Sequence, residues 1–190
     1  DKLQLTLGLR AQQVHQKLAN YQETAVTPLV GVVAKPWGEQ VSFYGNDVEG
    51  LSAGTTVQTP YANAGETFKP YQSKQMEVGV KWQTGDITQT VSLFQITKPA
   101  LIETNNRQVL DGEQRNRGVE WNVFGQLNRS LSLLGGVAYT EAEQTQTNKG
   151  LNQGRDQLGV PKLTLNLGAD WQVPGVQGLS LNGRVNHTGA

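Results

Sequence analysis

The stretch Leu163-Thr164-Leu165-Asn166-Leu167-Gly168-Ala169-Asp170-Trp171 decides the fold. Apolar side chains hold its odd positions, and polar or small ones hold the even positions. This period of two belongs to a β-strand, whose successive side chains leave opposite faces of the backbone. A helix would instead repeat its apolar residues at three and four. The same alternation recurs through the chain. Leu3, Leu5, Leu7 and Leu9 stand against Lys2, Gln4, Thr6 and Gly8. Met76, Val78, Val80 and Trp82 stand against Gln75, Glu77, Gly79 and Lys81. Val119, Trp121 and Val123 alternate with Gly118, Glu120 and Asn122, and Leu179, Leu181 and Val185 with Ser180, Asn182 and Arg184.

Composition narrows the classes. The 190 residues carry 16 basic and 16 acidic side chains, 22 glycines and no cysteine. Zero net charge leaves no cationic surplus to neutralise phosphates, so no nucleic-acid partner is expected. Without cysteine there is no disulfide scaffold, thiol nucleophile or cysteine-based zinc site. With only His15 and His187, no metal site, cofactor or catalytic set is expected, and the chain does not read as an enzyme. The longest apolar run, about Leu29–Ala34, falls far short of the ~20 residues of a membrane helix. No basic-then-apolar leader opens the sequence, and strand-like sequence runs to Thr188-Gly189-Ala190, so the chain is expected to be a segment of a longer one.

The alternation predicts nine strands, at about 2–10, 28–36, 40–49, 73–83, 87–97, 114–127, 130–142, 161–172 and 178–188. The links between them alternate long and short. Residues 11–27, 50–72, 98–113 and 143–160 are read as long loops. Trp37-Gly38-Glu39, Thr84-Gly85-Asp86, Asn128-Arg129 and the Val173-Pro174-Gly175 region are read as short turns. Short turns on one side and long loops on the other mark an antiparallel up-and-down transmembrane β-barrel. Strands of about 9–11 residues suit a tilted crossing of an apolar band, whereas soluble strands average ~5–6. The apolar face then meets lipid, and the polar face lines a wet interior. Trp37, Trp82 and Trp171 all fall near short turns, where an interfacial aromatic belt would place them, and Tyr139 is a candidate for the opposite belt. Nine strands leave two open edges in lipid, so a larger barrel is expected.

From Pro28 onward the sequence resembles TonB-dependent siderophore receptors, in pieces that follow that family's order. They are Pro28-Leu29-Val30-Gly31-Val32-Val33-Ala34-Lys35-Pro36; Tyr44 with Glu49-Gly50-Leu51; Lys69-Pro70-Tyr71-Gln72-Ser73-Lys74-Gln75-Met76-Glu77-Val78-Gly79-Val80-Lys81; Leu93-Phe94-Gln95-Ile96-Thr97; Gly112-Glu113-Gln114-Arg115-Asn116-Arg117-Gly118-Val119-Glu120; and Gly159-Val160-Pro161-Lys162. The resemblance implies that residues 1–190 are a C-terminal part of a 22-stranded outer-membrane barrel. It also implies a plug domain and a TonB-contacting box outside this sequence, and a ferric siderophore bound at the outward mouth.

Tyr61, Phe68 and Tyr71 in the 50–72 loop are the candidate ligand contacts, set against the plainer reading that they pack the loop. Arg115 and Arg117, on the lipid-facing parity below a long loop, are candidates for lipopolysaccharide phosphates, set against simple rim solvation. Glu141 and Glu143 read as a solvated rim, and Glu77, Glu120 and Asp170 as charges facing the lumen. The competing functions are a passive porin-like channel segment and a soluble β-sandwich binding module, with a barrel-embedded enzyme the weakest.

Overall fold

The computed structural model describes every residue except 1, 17–20, 53, 158 and 190. Nine strands form one sheet in sequential order, each antiparallel to the next: β1 Leu3–Gln16, β2 Tyr21–Ala34, β3 Val41–Ser52, β4 Tyr71–Thr84, β5 Ile87–Thr104, β6 Arg107–Asn128, β7 Leu131–Gln146, β8 Leu163–Gln172 and β9 Ser180–Gly189. Among the described residues, one 3-10 turn, Asn148–Gly150, lies between β7 and β8. No helix among the described residues is long and apolar enough to cross a membrane. A sheet that crosses a membrane must instead pair its backbone groups between neighbouring strands.

Register carries the alternation from strand to strand. One row of directly opposed residues runs Leu5, Val32, Gly45, Val78, Leu93, Val119, Tyr139, Leu163 and Gly189. The adjacent row runs Gln4, Val33, Tyr44, Gly79, Ser92, Glu120, Ala138, Thr164 and Thr188. The first face is apolar and open: Leu7 is 71%, Val78 58% and Leu93 58% exposed. The second is polar and more enclosed, with Ser92 at 4%. A concavity of about 840 Å³ near the short turns is lined by Phe124, Ser132, Leu134, Asp170, Asn182 and Arg184. A one-residue slip would turn every apolar side chain inward, so the alternation itself fixes the register.

Buried hydrophobic residues are few among those described: Val57, Val123 and Ala142. The sheet therefore is not held by a conventional core. Hydrogen-bonded ladders and cross-strand contacts hold it. On the polar face, two glycines make room for aromatic neighbours. A Cβ on Gly79 would lie 2.6 Å from the Tyr44 ring, and one on Gly118 would lie 2.1 Å from the Tyr139 carbonyl and 2.8 Å from the Phe94 ring. Tyr44 and Phe94 stand directly opposite those glycines and cover them.

The nine expected strands are all present, but two of the expected long loops are not loops. Residues 98–104 and 107–113 continue β5 and β6 as a long hairpin that turns at Asn105-Asn106. Both turn residues have positive φ, 52° and 58°, the geometry of a tight two-residue hairpin turn that asparagine tolerates. Likewise β1 reaches Gln16 and β2 begins at Tyr21. Alternation fades in these arms because nothing apolar needs a face there, while backbone pairing needs no alternation. The links 53–70 and 147–162 remain long. At the other end the short turns hold. In the β2–β3 turn, Lys35 and Glu39 form an ion pair and hydrogen bond, which holds the exposed Glu39 carboxyl below its ordinary pKa.

Replacing Gly118 with Ala is expected to lower stability by about 1–3 kcal/mol, because backbone and ring must both shift. Gly183→Ala, with nothing within 4 Å of the new carbon, is expected to be neutral. Urea unfolding of the full-length protein in detergent compares the two.

Candidate functional site: the outer mouth and its rim

The end of the sheet opposite the short turns is built from three pieces. The first is the 54–70 loop, which is folded on itself. Val57 N–H donates to the Glu66 carbonyl at 2.8 Å, Gly65 N–H to Val57 at 2.9 Å and Phe68 N–H to Thr55 at 3.0 Å. The Thr56 and Thr67 hydroxyls meet at 2.9 Å, and Val57 is buried beneath them. A cis Thr59-Pro60 bond lies at the tip. The second piece is the β5–β6 hairpin. The third is the 147–162 link, which folds back on β7: Gly154 N–H donates to Gln144 at 2.9 Å and Gln157 N–H to Ala142 at 2.8 Å.

The structure does not gather the three candidate aromatics into one patch. Tyr61 sits at the loop tip, where its carbonyl accepts the Ala64 N–H at 3.0 Å. Phe68 lies at the loop base. Tyr71 opens β4 opposite Ser52, on the register of the polar face. All three are half-buried, and they share no ring contact among the described residues; the ring pair there is Trp37 with Phe43, at 5.7 Å.

Sequence reasoning passed over the residues that tie this mouth together. Asn63 is 7% exposed and bonds to both backbone groups of Gln108, accepting at 3.0 Å and donating at 2.9 Å. Glu66 receives Asn63 at 2.9 Å and Arg107 at 3.2 Å. Asn148 donates to the Glu103 carbonyl. The available signal was Asn105-Asn106, a hairpin turn pair that also announces where neighbouring loops would close.

On the outward face the apolar band has a clear upper edge. Below it lie Met76 to Trp82 on β4, Val119 to Val123 on β6, Leu131 to Tyr139 on β7 and Leu163 to Trp171 on β8. The seven to nine residues on β4, β7 and β8, at ~3.3 Å rise and ~40° tilt, make a band roughly 20 Å tall, near the thickness of an outer-membrane apolar belt. Above it the same face becomes charged. Arg115 pairs with Glu143 at 2.9 Å, and Arg117 with Glu141 at 3.1 Å and Glu143 at 3.6 Å. Lys74 pairs with Glu49 at 3.0 Å. Glu141 and Glu143 stand at a partly exposed rim, and register sets them directly across from Arg117 and Arg115. The Arg115 Nε is buried and has no hydrogen-bond partner.

Trp82 and Trp171 lie on the outward face beside the short turns, and Trp37 lies in a turn itself, 74% exposed. Tyr139 lies on the outward face between Val119 and Leu163, just below the Arg117–Glu141 pair. On the polar face, Tyr44 Oη donates to Glu77 at 2.7 Å, and Asn122 donates to Glu120 at 2.7 Å. Both glutamates occupy the expected inward register, as does Asp170 opposite Ser132 and Asn182. No group of three or more metal-ligating side chains exists among the described residues.

The family model for "TonB dependent receptor-like, beta-barrel" matches residues 1–190. The chain belongs to the TonB-dependent receptor β-barrel family. It is therefore part of an outer-membrane barrel, and the lipid-facing assignment of the apolar side follows. A "Ferrichrome receptor FcuA" of Yersinia enterocolitica is 34% identical over the whole chain, which covers 27% of that protein. The "Ferrichrome outer membrane transporter/phage receptor" of Escherichia coli is 29% identical, again over 100% of this chain and 27% of its own length. Among solved structures, the ferric preacinetobactin receptor BauA of Acinetobacter baumannii superposes with a TM-score of 0.75 at 39% identity, covering 98% of this chain and 30% of that one. The chain thus spans roughly a quarter to a third of its relatives' length. These relatives are named as receptors and transporters, and neither the single sequential sheet nor the family membership favours a soluble sandwich.

The outer 151–162 segment carries one further strap, Lys162 to Asp156 at 2.6 Å. The hydrogen bond to Asp156, and then its charge, hold the exposed Lys162 ammonium above its ordinary pKa. A raised cationic pKa stabilises the strap from neutral pH, where Asp156 is ionised, up to the ordinary lysine value, and loses that effect as pH rises through the raised one. Amide exchange over 151–157 in the full-length receptor is expected to be faster in Asp156→Asn than in wild type near neutrality. That difference is expected to vanish only at strongly alkaline pH.

Proposed function

We propose that this chain forms barrel wall and outer loops of a receptor that takes up a ferric siderophore, with energy supplied through TonB. The observation that carries this reading is similarity over the entire chain to two proteins named for ferrichrome. The 39% identity to a ferric preacinetobactin receptor supports the same ligand class. The remaining strands (22 in all), the plug and the TonB-contacting segment belong to the complete receptor. The strands here supply the lipid seal, and the 54–70 loop, the β5–β6 hairpin and the 147–162 link supply part of the outer mouth.

Within that reading, Tyr61, Phe68 and Tyr71 are proposed contacts for the chelate, Tyr61 foremost because it stands at the loop tip. Trp37, Trp82 and Trp171 form one interfacial belt and Tyr139 belongs to the other, since indole and phenol rings favour the headgroup level. Arg115 and Arg117 face lipopolysaccharide phosphates. Their height above the apolar band supports this. Glu141 and Glu143 then compete with phosphate for the same guanidinium groups.

Iron-55 uptake in cells lacking other siderophore receptors tests the function. The full-length protein is expected to import iron from ferrichrome or ferric preacinetobactin only when TonB is active. Uptake that is indifferent to TonB would mark a passive channel. Tyr61→Ala is expected to weaken ferric-ligand binding about tenfold or more, the loss of one central aromatic contact; unchanged affinity removes Tyr61 from the contact surface. Lipopolysaccharide retained through purification is expected to fall in the Arg115→Ala/Arg117→Ala double variant and to rise in Glu141→Gln/Glu143→Gln. Equal retention in all three proteins assigns the arginines to ion pairing alone.

A further inference from the structure

The β5–β6 hairpin rises beyond its neighbours. Pairing of β4 with β5 stops at Lys74–Thr97, and pairing of β6 with β7 stops at Glu113–Gln146. From there to the Asn105-Asn106 turn, each arm presents an outer backbone edge with no strand beside it. Such an edge must be hydrated, covered or left open to stray pairing.

Asn63 covers it. Its Oδ1 accepts the Gln108 N–H at 3.0 Å and its Nδ2 donates to the Gln108 carbonyl at 2.9 Å, the two bonds a neighbouring strand would supply. The second hydrogen of Nδ2 goes to Glu66 at 2.9 Å. Alongside, Ala62 N–H donates to the Asn106 carbonyl at 2.8 Å and Arg107 meets Glu66 at 3.2 Å. The opposite arm is capped by the Asn148 amide at Glu103. Asn63 is almost wholly buried, so its amide is satisfied only while the loop is docked. Because the 54–70 loop carries its own internal ladder, it docks or releases as a body.

We infer that Asn63 is the positioning residue of the outer mouth: it pins the 54–70 loop to the edge of the β5–β6 hairpin, so that Tyr61, two residues away, is presented to the ferric ligand on a preformed wall. The ligand part rests on the receptor reading above; the pin does not. An aspartate at this site would keep the acceptor, lose both donors and face Glu66, so the amide is required rather than mere polarity.

Hydrogen exchange on the full-length receptor in detergent tests the pin directly. Asn63→Ala and Asn63→Asp are each expected to speed exchange in 54–68 and in 100–110 together, leaving 74–97 as in wild type. Asn63→Asp combined with Glu66→Gln, which restores a donor beside the acceptor, is expected to recover part of the protection. Unchanged exchange in 100–110 overturns the pin. Affinity for ferrichrome or ferric preacinetobactin, whichever the intact receptor binds, tests the positioning. Asn63→Ala is expected to weaken binding several-fold, and adding it to Tyr61→Ala to cost little more than Tyr61→Ala alone. Fully additive losses would overturn the claim that Asn63 acts through Tyr61. If Tyr61→Ala binds normally while exchange responds as expected, the contact reading fails and the pin stands.

Discussion

Every peptide group that meets hydrocarbon must find its hydrogen-bond partner on another strand, because no water is there to supply one. The rest of the molecule follows from that requirement. It produces nine strands in sequential antiparallel order, with each inner strand paired on both sides. It also makes the two faces independent. With the ladder holding the sheet, side chains need not form a core, and buried apolar residues are correspondingly few. The leucines of β1 and Val78 of β4 can be largely exposed on the isolated sheet because their neighbours in the membrane are acyl chains. On the polar face, Tyr44 over Gly79 and Phe94 over Gly118 fill the pleat where a side chain is missing.

The same requirement lapses above the band, and the structure changes character at that height. Charged pairs replace apolar rows on the outward face, from Lys74–Glu49 to the Arg115, Arg117, Glu141 and Glu143 network. Single exposed pairs of this kind contribute at most about 1 kcal/mol each, so their placement matters more than their strength. They mark where lipid gives way to headgroups and loops. Beyond them the β5–β6 hairpin stands alone, and side-chain amides take over the role of neighbouring strands. Asn63 and Asn148 thus answer the same demand as the ladder below, by a different means.

Much of this was legible in the sequence, for a physical reason. Where one face meets lipid, alternation is enforced, and Leu163–Trp171 or Met76–Trp82 can be read without a structure. All nine strands were found in that way, and each alternating set keeps to one face of the sheet. Residues 98–113 were misread as a loop because their arms lie where no face must be apolar. Their only local signal is Asn105-Asn106, which marks the turn without marking the arms. The pairing of Glu141 and Glu143 with Arg117 and Arg115 went unread because those partners are on the adjacent strand and are found only through register. The mouth was the least legible part. Its aromatics could be named, but the Asn63 pin joins residues 45 positions apart in the sequence.

The most direct test of the account is the environment of each face in the full-length receptor. These 190 residues contain no cysteine; in a full-length receptor with any other cysteine replaced, single nitroxide labels are attached through Val78→Cys, Leu93→Cys, Val119→Cys and Leu167→Cys on one face, and through Thr90→Cys, Asn122→Cys and Asn166→Cys on the other. In lipid vesicles, the first set is expected to collide with oxygen and to be shielded from a water-soluble nickel chelate. The second set is expected to show the low oxygen collision of an interior filled with protein and water. Equal accessibility on the two faces, or the reverse pattern, would contradict the lipid-facing assignment on which the whole reading rests.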